Sequence, residues 1–142
     1  MNFLYDFLIE FVAAFLGFLF AIVFSGINAK YEARKKLKLI INGIKNELQD
    51  IHDSLNEYID NKVIMKHRIA IPTWDSLQFA GGVLDLLEKP YYDDLLTVYS
   101  EIKIFNEERF SMRDKEIMNE LESIVKNSQT VLNAIEKENA NG

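Results

Sequence analysis

Few residues in this 142-residue chain could do chemistry by their type and spacing. Asp6 and Glu10 stand one helical turn apart, just ahead of an uncharged apolar run at residues 11–29. In an assembly of several copies they would stack as two acidic rings, the kind that draw cations into a pore. A carboxylate at Glu10 is costly unless it meets water or a partner. An interfacial Glu10 that snorkels outward is therefore the competing reading. Two basic groups follow: Lys62, Lys66 and Arg68, then Arg109, Arg113 and Lys115. Brought together, they would offer an anionic-ligand patch for a phosphate-rich ligand, a nucleotide or a short single strand. The plainer reading has them balancing helix dipoles and neighbours such as Glu107, Glu108 and Asp114.

Catalytic patterns are absent from the sequence. His52 and His67 are the two histidines, and neither has a metal-ligand partner four residues on. With no cysteine there is no thiolate nucleophile, disulfide or thiolate zinc site. Gly81-Gly82 lacks the spacing and the lysine of a phosphate-binding loop. Trp74 reads as a core plug. The expectation is a chain that is not an enzyme and needs no metal or cofactor.

The elements that must position these groups begin with the apolar run. A helix rises ~1.5 Å per residue, so residues 11–29 are about long enough to cross a ~30 Å hydrocarbon core. The pattern reaches back through Phe3, Leu4, Phe7 and Leu8, and residues 2–27 read as one transmembrane helix. A secretory signal would need a basic leading region, whereas this one carries Asp6 and Glu10. A chain this short has little core in which to hide a helix apolar on nearly all sides. Lys30, Arg34, Lys35, Lys36 and Lys38 follow the run against Glu32 alone. Basic flanks stay on the cytoplasmic side, so the N-terminus is expected outside and the C-terminus in the cytoplasm.

Within the span, Ala13, Gly17, Ala21 and Ser25 recur every four residues, and Asn28 projects close to the same face. Such small-residue ladders let membrane helices approach closely. The chain offers no second span, so the ladder predicts self-association, most simply a tetramer. A plain anchor with incidental small residues is the alternative.

The remainder divides into a basic juxtamembrane segment (30–38), an all-α cytoplasmic domain (39–138) and a disordered tail (139–142). The formal net charge of −6 lies mostly in that domain, which argues against general duplex DNA binding. Leu37, Ile41, Ile44, Leu48, Ile51, Leu55 and Tyr58 alternate four and three apart, the seam of a helix that continues the span to about Met65. Glu47, Asp50, Asp53, Glu57 and Asp60 are placed on its outer faces. Thr73 is expected to cap a short helix from Trp74 to Gly81. Pro90 is expected to open a third helix, with a polar turn at residues 106–114. A last helix carries Ile117, Leu121, Ile124, Ser128, Val131 and Ile135. Short connections favour an antiparallel bundle.

The runs PTWDSL at 72–77 and GGVLDLL at 81–87, with Leu95, Tyr99, Ile102 and Asn106, resemble small membrane-anchored bacterial proteins of the abortive-infection type. The layout is similar to that of membrane effectors in antiphage systems such as Hailong. The resemblance implies an oligomeric membrane channel controlled by a nucleic-acid-like signal, which a partner nucleotidyltransferase makes. It transfers no binding residue. The function expected on this basis is a gated pore in the bacterial inner membrane. The alternative is a single-pass scaffold whose helical domain docks a partner protein.

Overall fold

The computed structural model describes the backbone of residues 3–141 and the side chains of residues 14–141. The described chain is all-helical: α1 (Phe3–Asp60), α2 (Pro72–Phe79), a 3-10 helix (Gly82–Leu86), α3 (Tyr92–Glu108) and α4 (Asp114–Asn141). No proline interrupts the sequence before Pro72, so nothing breaks the hydrogen-bond ladder of α1. The chain forms two compact units, Met1–Lys38 and Leu39–Gly142.

In the first unit, every side chain from residue 14 to residue 36 is exposed, the large apolar ones included. The part of α1 from Ala14 onward is long and apolar enough to cross a membrane, and none of that apolar stretch is buried. Asp6, Glu10 and Ala13 lie outside the residues whose side chains are described.

The second unit holds the core. Ile44, Leu48, Ile51 and Leu55 of α1 are buried, as the four-three spacing requires. α3 packs on α4. Leu95, Val98, Ile102 and Phe105 are buried on one helix, and Ile117, Leu121, Ile124 and Val131 on the other. Trp74 is fully buried and stacks on Tyr99, with ring centroids 4.2 Å apart and planes 4° from parallel. Truncating a side chain such as Leu48 to alanine removes roughly 2–5 kcal/mol in a core of this kind.

Several element ends differ from the sequence expectation. α1 stops at Asp60, not near Met65. Lys62 adopts a left-handed conformation, φ 52°. The Val63 N–H donates to Tyr58 O, and the Lys62 N–H to Ile59 O. That paired closure is a Schellman motif, and it frees residues 63–71 to turn back so that Met65, Ile69 and Ile71 bury. α2 starts at Pro72, with Ile71 rather than Thr73 at the cap and no side-chain cap bond. The fixed φ of proline suits a first helical position. α3 begins at Tyr92 and runs through Asn106 to Glu108, so the turn is shorter than expected. Residues 139–141, expected as a disordered tail, continue α4. Glu138 near its end is tied to Lys89, with Nζ to Oε1 at 2.6 Å.

Candidate functional site

Glu47 lies on the buried side of α1, correcting its placement on an outer face. It is 8% exposed. Its Oε2 accepts from the Thr73 N–H at 2.6 Å, and its Oε1 accepts from the Trp74 N–H at 3.2 Å. The Tyr99 hydroxyl donates to the same Oε1 at 2.8 Å. A carboxylate from α1 therefore satisfies the free amides at the start of α2, where the helix dipole favours negative charge. Burial raises the Tyr99 hydroxyl far above its usual pKa, and the Glu47 charge adds to the shift. Close approach of α1 and α2 also explains Gly43: a Cβ there would come 3.2 Å from Thr73 Cγ2.

Beside this junction runs a groove of about 550 Å³, between α1 and the strap of residues 63–71. That volume falls in the range of small-molecule sites, roughly 300–1,000 Å³. Asn46, Asp50 and Ser54 line the α1 wall, and His67 and Arg68 line the strap wall. Tyr58 also lines the groove, its hydroxyl 3.3 Å from His67 Nε2 and the two rings edge-to-face. The strap is held from behind by Asn106, a buried side chain of α3. Asn106 Oδ1 accepts from the Ile69 N–H at 2.7 Å, and its Nδ2 donates to Ile69 O at 2.8 Å.

Only part of the basic set singled out in the sequence lies at this strap. Lys62, Lys66 and Arg68 lie on its exposed side. Arg109 joins them: its Nε donates to Lys66 O at 3.1 Å, and its guanidinium sits 4.3 Å from the Phe110 ring centroid. Arg113 is engaged elsewhere. Its guanidinium binds Glu116, whose other oxygen accepts the Arg113 N–H at the start of α4. Hydrogen bonding from Arg113 holds the Glu116 carboxyl below its usual pKa. Lys115 is exposed. Among the described residues, Lys62, Lys66, Arg68 and Lys115 form no ion pair.

No protein family, curated protein or solved structure matches this chain.

On α1, Gly17, Ala21, Ser25 and Asn28 fall on one face by helical projection, and all four are exposed. A Cβ added at Gly17 would meet nothing within 4 Å. The opposite side carries Phe15, Leu16, Leu19 and Val23, all exposed. Two residues central to the domain were named in the sequence without their buried roles being read: Glu47, placed on an outer face, and Asn106, placed at the start of a turn. Each sits at helical spacing within an apolar face, Glu47 between Ile44 and Ile51 and Asn106 four residues after Ile102. A polar residue at such a position was the available signal.

Proposed function

We propose that the chain is an oligomeric membrane effector of bacterial antiphage defence, gated by a signal that its cytoplasmic domain receives. The observation that carries this reading is the uncovered apolar half of α1, whose large side chains have no protein to bury them. Lipid satisfies the bulky faces, and a second copy of the chain satisfies the small one, Gly17, Ala21 and Ser25. The assembly is a closed homo-oligomer, most simply a tetramer, in the bacterial inner membrane. Its N-termini face out and its antiparallel helical domains face the cytoplasm, with Asp6 and Glu10 at the outer mouth.

The groove beside Arg68 and His67, with Lys62, Lys66 and Arg109 near it, is where an anionic signal would be read. A nucleotide or short single strand made by a partner enzyme has the required charge. Support for the site is the Arg109 bond to the strap, which brings one residue of the second basic cluster to the first, and a cavity of ligand size.

The test is expression of the full chain in a bacterial host while membrane potential and growth are recorded. Depolarisation and growth arrest, both lost in Gly17→Leu, are expected. Unchanged potential and growth with the wild-type protein inserted in the membrane would favour the scaffold instead.

A further inference from the structure

We propose that Asp50 selects the ligand of the groove, taking nucleotides whose base carries an amino group and refusing uracil and thymine. The proposal deepens the reading of the groove as the site of an anionic signal, and rests on it. Two side chains of opposite charge line this groove, Asp50 on the α1 wall and Arg68 on the strap wall. Both are exposed, and neither forms an ion pair among the described residues. The groove's other carboxylate, Glu47, is taken up by the Thr73 and Trp74 amides and the Tyr99 hydroxyl. An unpaired guanidinium and an unpaired carboxylate in one groove suit a ligand with an anionic end and a hydrogen-bond-donating end.

The course of the strap sets how far apart the two ends stand. The Tyr58 hydroxyl lies 3.3 Å from His67 Nε2, and Glu47 Oε2 accepts from the Thr73 N–H at 2.6 Å. The chain from His67 to Thr73 thus runs antiparallel to α1, and Arg68 belongs to the Tyr58 end. Asp50 comes eight residues before Tyr58, ~12 Å along the helix axis. A compact zwitterion such as a free amino acid, whose two charged groups hang from one carbon, does not reach both. A nucleotide does, with its phosphate on Arg68, whose fork matches phosphate oxygens, and its base toward Asp50. Between the two ends Ile51, Leu55 and Ile69 line the groove and are buried, an apolar floor for the sugar and the face of the base. An ionised carboxylate accepts hydrogen bonds and donates none. Adenine, guanine and cytosine each present an amino group that it can hold. Uracil and thymine present carbonyl oxygens on either side of a lone N–H, and the carboxylate repels them.

The test is isothermal titration of the full chain in lipid nanodiscs with adenosine, guanosine, cytidine and uridine 5′-monophosphate. The three amino-bearing nucleotides are expected to bind on the order of tenfold more tightly than the uridine one. In Asp50→Asn, whose amide both accepts and donates, that ratio should fall to about one. The ratio is the readout, because removing a negative charge tightens every anionic ligand. Arg68→Ala should weaken all four alike and leave the ratio in place. Equal affinity of the wild type for the four nucleotides, still weakened by Arg68→Ala, would overturn the role of Asp50 and keep the groove as the site. A preference that survives in Asp50→Asn would do the same. If no nucleotide binds, or binding is indifferent to Arg68→Ala, the groove is lost as the signal site and the proposal with it.

Discussion

Glu47 joins three elements through one carboxylate: α1 carries it, α2 donates two backbone amides and α3 donates the Tyr99 hydroxyl. Removing it leaves three donors unpaired, two of them buried, and hydrogen bonds to charged groups contribute about 1.5–3 kcal/mol each. Glu47→Ala is expected to destabilise the domain by roughly 3 kcal/mol or more. Unfolding of the detergent-solubilised full chain, followed through Trp74 fluorescence, measures the loss. Glu47→Gln, which keeps the shape and one acceptor oxygen, should cost less. Trp74 is the chain's one tryptophan and is stacked on Tyr99, so its emission reports this junction directly.

Tyr99 adds a pH dependence whose sign is fixed. Its folded pKa is raised above the ordinary value of 10.0 by burial first and by the Glu47 charge second. Tyr91 shifts the same way, through burial and then the charge of Glu138. Above about pH 10 the unfolded chain releases these protons while the folded chain keeps them. Stability is therefore full below that pH and falls as pH rises past it. The melting temperature should decline on the alkaline side, and Tyr99→Phe should make that decline shallower. The four-three spacing made Ile44, Leu48, Ile51 and Leu55 legible as core. The same spacing put Glu47 among them, but the sequence gives no hint of amides waiting 26 and 27 residues away.

At the scale of elements, the strap of residues 63–71 was the hardest segment to read. It has no periodic pattern, and its shape comes from contacts distant in sequence. One end is set by Lys62 in the left-handed region, where glycine is favoured over a side chain by about 1 kcal/mol. Lys62→Gly should raise stability by roughly 0.5–1 kcal/mol, seen as a higher denaturation midpoint. The basic residues 62, 66 and 68 pointed to a helix end, yet the end itself lies earlier because the Schellman closure depends on backbone geometry. The middle of the strap is held by Asn106, whose amide bonds both sides of Ile69. Asn106→Leu should cost roughly 2–3 kcal/mol. It should also release the strap locally, so limited trypsin digestion of the folded variant should cut at Lys62, Lys66 or Arg68 first. Protection equal to wild type would show that the strap is held by other contacts.

At the scale of the whole molecule, the long apolar helix at the start of the chain was plain in the sequence because its run of uncharged residues is unbroken. An uncharged run followed at once by Lys30, Arg34, Lys35, Lys36 and Lys38 is legible without coordinates. So was the helical character of the remainder, from its apolar periodicity. The groove was not legible, since it arises where the strap lies along α1, and of its lining residues the sequence singled out only His67 and Arg68 for their chemistry. The central claim is that copies of this chain assemble through the small face of the membrane helix. Native mass measurement of the full chain in lipid nanodiscs tests it most directly. A single closed assembly is expected for the wild type, most simply a tetramer, with Gly17→Leu or Ala21→Leu reduced to monomer. A wild-type chain that is strictly monomeric in lipid would contradict the account.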